Sequence, residues 1–254
     1  MTSRVAAIAL VIVGLVATAA GLGLRVFLPE DDDGHHDGRT PTFAVSSTSG
    51  ADELLVAQDG DDATLSVSIE RAGQSITDFD DVHDAPMHVF AASTALDWFV
   101  HLDPAIGADG STEPFVLRSE RSHRVVTQSA PSGGPDLLEL GSDVTVAGTP
   151  DASVQNITDD DMWTEGDLTV TRQGFDFVLS RPFDGDDYHG GPALLTLFRA
   201  DDMAFSHGHA VLVEPDRFRF ELALPGRGDY LAALQFFATP DSVEPTTALF
   251  RFTL

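Results

Sequence analysis

The residues best able to do chemistry in this chain are histidines, and they recur in a duplicated frame. Residues 83–103 and 189–209 align at a constant offset of 106, so His83 falls on His189, Pro86 on Pro192, Phe99 on Phe205 and His101 on His207. The first copy holds His83, Met87, His88, His101 and Asp103; the second holds His189, His207 and His209. Six of the chain's nine histidines therefore lie in the repeat. His207-Gly208-His209 is an i, i+2 pair, and on a β-strand residues two apart point to the same face. The same spacing puts His101 and Asp103 on one face. Asp103 takes the place of His209, and both residue types ligate metals. A His-x-His pair joined by a third His from a nearby loop suits Cu(II), Ni(II) or Zn(II). Met87 would add a soft ligand. The sequence groups the ligands copy by copy. His101 and Asp103 with His83 or His88 form one expected site, and His207 and His209 with His189 form the other.

The elements that must hold these side chains read as β-structure. Apolar and polar residues alternate with a period of two in Leu65–Ile69, Asp143–Val146, Leu168–Thr171, Phe218–Leu222 and Phe250–Phe252. That period marks strands with one buried face. Clusters of Gly, Pro and Asp separate the runs. The repeat is read without a gap as far as Arg124 and Val125 against Tyr230 and Leu231. Ser93 to Phe99 and Arg199 to Phe205 are expected as turns or loops between two strands. The fold class expected is mainly β: two tandem antiparallel β-sandwich domains, immunoglobulin- or cupredoxin-like, after an N-terminal transmembrane helix. Their expected bounds are 51–148 and 163–254, joined by a polar linker at 149–162.

Ahead of them, residues 5–24 form an uncharged run of 20, long enough to span a bilayer. Arg4 precedes it and Glu30 to Asp33 follow, so the positive-inside rule keeps the N-terminus in the cytoplasm and exports the rest. A signal-anchor over 1–29 and an acidic flexible stalk over 30–50, with His35 and His36, complete the expected organisation. The small residues Ala17-Thr18-Ala19 offer a cleavage site, but the apolar run continues to Leu24 and favours a retained anchor. Asn156-Ile157-Thr158 is a glycosylation sequon on an exported segment.

Composition narrows the partners. The chain has 254 residues and a formal net charge of −27, and all 14 of its basic residues are Arg. Such a surface repels nucleic acid and attracts cations. It also suits a salt-adapted, halophilic proteome, because molar salt shortens the Debye length to about 3 Å and screens self-repulsion. There is no cysteine, which excludes disulfides, thiolate metal sites and Cys nucleophiles. Catalytic signatures such as Gly-x-Ser-x-Gly, a phosphate-binding loop or His-Glu-x-x-His are missing, so no enzymatic activity is expected.

The histidine elements resemble a group of exported, membrane-anchored, heavy-metal-associated proteins of prokaryotes, known mainly from actinobacteria. In that group a Pro-Met-His strand precedes a Phe-x-His-x-His-Pro element. Here the corresponding residues are Pro86-Met87-His88 and Phe99-Val100-His101-Leu102-Asp103-Pro104. Gly133-Gly134-Pro135 with Leu140 to Gly148, and Leu197 to His209 with Gly228-Asp229-Tyr230, extend the likeness over roughly 60–254. Asp103 and Ala210 depart from an expected His and Pro, and Leu194 stands where the first copy has His88. The resemblance implies extracytoplasmic metal handling, with copper as the ion and no established catalysis. The expectation is a membrane-anchored, extracytoplasmic, copper-binding protein. The competing reading is an envelope or interaction module with structural histidines and no metal.

Overall fold

The computed structural model describes residues 45–58, 63–119, 121–147 and 155–254. The expected anchor, most of the stalk with His35 and His36, and residues 149–154 of the expected linker lie outside them. No helix among the described residues is long and apolar enough to cross a membrane.

Among the described residues, twenty strands follow one another. In the first half they are β1 (Thr48–Ser49), β2 (Asp52–Gln58), β3 (Thr64–Arg71), β4 (Gln74–Ser75), β5 (Phe79–Asp80), β6 (Met87–Ser93), β7 (Phe99–Leu102), β8 (Phe115–Val116), β9 (Arg121–Pro131) and β10 (Leu138–Val146). In the second they are β11 (Ile157–Thr158), β12 (Met162–Glu165), β13 (Leu168–Gln173), β14 (Asp176–Leu179), β15 (Leu194–Arg199), β16 (Phe205–His209), β17 (Val211–Glu214), β18 (Arg217–Arg219), β19 (Asp229–Phe236) and β20 (Thr246–Thr253).

Each half is a two-sheet sandwich. The first pairs a β1-β2-β3-β4 sheet, with β8 on β3, against a β10-β9-β6-β7 sheet, with β5 on β9. The second pairs β12-β13-β14-β18-β17 against β11-β20-β19-β15-β16. All pairings are antiparallel except β11 with β20. Alternation in β3 sends Leu65, Val67 and Ile69 into the first core, against Met87, Val89 and Ala91 of β6 and Val125 of β9. The second core gathers Trp163, Val170, Phe177 and Phe218 with Leu195, Leu197, Tyr230, Ala232 and Phe250. Met87, a soft ligand in the sequence reading, is fully buried in the first core and faces away from the histidines.

A third apolar cluster joins the halves. Phe90, Ala92, Phe99 and Val126 of the first pack on Leu194, Phe198, Phe205, Leu231 and Ala233 of the second. The sheets carrying β6 and β15 thus cover each other's second faces. Burial on both faces explains why these strands do not alternate. Met87–Ser93 is buried at every position, and Leu194–Arg199 at all but its last. The described end of the expected linker is packed too. Gln155 accepts from the Phe99 amide through Oε1 (2.8 Å) and donates to the Phe99 carbonyl through Nε2 (2.6 Å).

Strand pairing corrects the repeat. β6 pairs with β9 so that Ala92 faces Arg124, whereas its counterpart Phe198 in β15 faces Leu231. The copies therefore slip by one residue before β9. Arg124 corresponds to Leu231, not to Tyr230, and Gln128 corresponds to Gln235.

Candidate metal centre

All six repeat histidines meet where the two inner sheets face each other. Two hairpin turns bring the first pair. Val82 bridges Ala85 around His83 and Asp84, and Tyr188 bridges Gly191 around His189 and Gly190. Both central residues of each turn have positive φ: 48° and 73° in the first, 52° and 90° in the second. Left-handed backbone at a non-glycine residue costs about 1–3 kcal/mol and persists where the surroundings enforce it. Glycine is required at 190 for a second reason: a Cβ there would stand 2.8 Å from His83 Nδ1.

The strands bring the rest. His88 lies on β6, His101 on β7, and His207 and His209 on β16, each in register with the interface face. Asp103 follows β7 directly. Its Oδ1 lies 2.6 Å from His88 Nδ1 and 3.4 Å from His101 Nε2, and its Oδ2 lies 3.2 Å from His189 Nε2. His101 Nε2 and His88 Nδ1 are 3.3 Å apart. One ligand atom from each of His88, His101, Asp103 and His189 falls within 4.8 Å of all the others, the one set of this kind among the described residues. Three of these come from the first copy and one from the second. Site composition by copy, as read from the sequence, gives way to a composite centre.

The outward nitrogens of the three imidazoles are already committed. His88 Nε2 donates to the Val82 carbonyl (2.6 Å), and His189 Nδ1 to the His83 carbonyl (3.0 Å). His101 Nδ1 faces Gln235 Oε1 and the Tyr188 hydroxyl, each at 3.2 Å. Those partners fix the rings with Nδ1 of His88 and Nε2 of His101 and His189 turned inward. Metal-binding imidazoles are oriented in this way, by a hydrogen bond from the second ring nitrogen to an oxygen. Three nitrogens and one carboxylate oxygen form a donor set that fits a four-coordinate Zn(II) or Cu(II) ion.

Protonation follows the same geometry. Burial opposes ionisation of Asp103, yet hydrogen bonds from His101, His189 and His88 outweigh it and hold the carboxyl well below its usual range. Burial likewise lowers His101. His189 is raised, because bonding to Asp103 and to the His83 carbonyl overcomes its own desolvation. Burial pushes the Tyr188 hydroxyl up, so it stays a neutral hydroxyl.

His83, His207 and His209 flank this centre. The His83 and His209 ring centroids are 4.5 Å apart, and those of His207 and His209 are 6.0 Å apart. Gln128 Nε2 donates to His207 Nδ1 at 3.0 Å. Both ring nitrogens of His209 are buried without a hydrogen-bond partner. Burial drives His207 down to about 3 and His209 to about 4, with neighbouring imidazoles adding to the effect. His207, His209 and His189 do not form a set of their own. A cavity of about 10 Å³, the size of one water molecule or ion, is walled by all six histidines. A larger cavity of about 450 Å³ opens beside it, with Asp78, Asp84 and Asp103 in its wall. Asp103 lines this larger cavity while its oxygens meet the histidines: its side chain is 36% exposed, whereas those of His88 and His101 are 3% and 1%.

The sequence reading missed Gln128, Gln235 and Tyr188. A signal existed for the glutamines: each is a polar residue inside an apolar strand, and a buried amide needs partners. His123, outside the expected set, is a buried structural histidine whose Nε2 donates to the Arg118 carbonyl at 2.8 Å. Asn156 is exposed and donates to the Thr164 carbonyl at 2.8 Å.

No protein-family model matches the chain, and no curated protein matches it. Among solved structures it is similar to the crystal structure of the chicken CNTN1 FN1-FN3 domains, with 9% identity and a TM-score of 0.25. That match covers 78% of this chain and 64% of the other.

Proposed function

We propose that this protein is a membrane-anchored, extracytoplasmic metal-binding protein that holds copper and catalyses no reaction. The observation that supports it best is the pre-orientation of His88, His101 and His189, each with one nitrogen bound to an oxygen and the other turned toward Asp103. With Met87 directed into the core, the donors are nitrogen and oxygen only. Divalent copper ranks above the other first-row ions on such donors. Export past an uncharged run at 5–24 would place the acidic surface where it meets environmental cations, and Asn156 would then be open to glycosylation.

Calorimetric titration of the full chain in detergent with Cu(II) tests the reading. Binding should be tight in the wild type and at least tenfold weaker in His101→Ala, a loss of about 1.4 kcal/mol or more. Equal affinities in the two proteins would remove His101 from the site. No binding in either would favour a metal-free interaction module.

A further inference from the structure

Of the four side chains in the metal set, one reaches open space. Asp103 is 36% exposed, whereas His88, His101 and His189 are 3%, 1% and 13% exposed. Asp103 faces the cavity of about 450 Å³. The wall of that cavity draws on three segments: Thr77 and Asp78 ahead of β5, Asp84 in the His83 turn, and Asp103 and Ala105 after β7. Its charged lining among the described residues is Asp78, Asp84 and Asp103. Liquid water takes about 30 Å³ per molecule, so a hydrated divalent ion fits with room to spare. A small chelator fits as well, since ligand pockets begin at about 300 Å³.

The ligands are also held unequally. The three imidazoles are tethered through their outer nitrogens, to the Val82 and His83 carbonyls and to Gln235 and Tyr188. Among the described residues, the contacts of the Asp103 carboxylate are those same imidazoles. An ion in the set would therefore lose Asp103 first and keep three nitrogens, and the coordination position so opened lies on the cavity side.

From this geometry we infer that the centre loads and unloads its ion through the cavity, by associative exchange with small nitrogen chelators that are neutral or cationic. The inference rests on the metal reading of the centre and deepens it: the protein is a carrier that hands its ion on. Copper stays divalent throughout. A chelator nitrogen forms its bond to the ion as the bond from the Asp103 oxygen breaks. Further chelator nitrogens then replace His88, His101 and His189 in turn, and protons leaving the chelator's amines pass to water. Carboxylates lining a cavity attract cations and repel polyanions, with effects on association rates of about 10–1,000-fold.

Stopped-flow removal of Cu(II) from the loaded full chain in detergent tests this with two chelators: triethylenetetramine, a cationic polyamine, and EDTA, a polyanion. The wild-type rate should rise with polyamine concentration. Asp78→Asn combined with Asp84→Asn should shrink the polyamine-to-EDTA rate ratio by about tenfold or more. Asn tolerates the positive φ at position 84. Salt at about 1 M should shrink the same ratio in the wild type. Ala105→Trp and, from another segment, Thr77→Trp fill the cavity. Each should slow loading and removal alike, by about tenfold, with equilibrium affinity unchanged. A removal rate independent of chelator concentration overturns associative exchange. A rate ratio unmoved by the double substitution overturns the cavity as the route, and so do unchanged rates in both Trp variants. A wild type that takes up no copper overturns the metal reading beneath it.

Discussion

Asp103 is the residue on which the centre turns. Both carboxylate oxygens are engaged by histidines, and it alone reaches from the buried imidazoles into the larger acidic cavity. Asp103→Asn keeps the shape but removes the charge and puts an amide donor against ring nitrogens. Cu(II) affinity should fall at least tenfold, measured by competition with a chelator of known affinity. An unchanged affinity would show that the carboxylate is no ligand. The glutamines act on different imidazoles. Gln235→Leu strips the outer hydrogen bond from His101 and should weaken copper binding by about 10–100-fold. Gln128→Leu acts on His207 and should spare it. Equal effects of the two variants would show that the Gln235 contact does not orient a ligand.

The elements that place these residues are paired turns and strands buried on both faces. The turn at His189-Gly190 runs through positive φ, and the His83 ring lies against Gly190. Gly190→Ala should cost about 1–3 kcal/mol through backbone strain and displacement of His83. A melting temperature within error of wild type would show that the turn relaxes freely. Phe90 on β6 is nearly fully buried and stacks on His101 with a centroid separation of 4.1 Å. Phe90→Ala should cost about 3–5 kcal/mol and loosen His101 with it.

Across the whole molecule, acidity and metal compete for the same interface. His83, His101, His207 and His209 are all lowered, chiefly by burial. For these groups the unfolded chain binds more protons than the folded one between about pH 6.5 and the folded values, so stability rises with pH there. His189 is raised and works the other way: its contribution is present at low pH and is lost as pH climbs through its folded value. Asp103 is lowered, and its contribution is lost only on further acidification, below the ordinary carboxylate range. With His123 also lowered by burial, five histidines stand against the raised His189 and Glu139 and give a net loss on acidification. The metal-free protein should melt at a lower temperature at pH 5 than at pH 7.5, by scanning calorimetry at fixed high salt. A flat or inverted profile would mean that the buried imidazoles find protons or partners in the folded state. Bound copper should raise the melting temperature at pH 7.5 and do less at pH 5, because protons displace it from imidazole.

The amino-acid sequence by itself determined the duplication, the β character and the residue types that converge. Its period of two is visible in β3 and β13, because each has one face in a core and the other toward solvent. The same clarity hid the interface: β6, β15 and β19 are apolar on both faces, a pattern that states double burial without naming the partner. The His-x-His spacing told which side chains share a strand face, but not that the two copies' faces look at each other. Tertiary structure decided that the centre is composite, that His189 belongs with the first copy's ligands, and that Met87 lies in a core. It also moved the register of β9 by one residue, since a slip in a strand is settled by which side chains can be buried, not by the best letter match. The physical reason is common to all of these. Ligand geometry depends on contacts between residues about a hundred positions apart, and those are set by the burial of two sheet faces against each other.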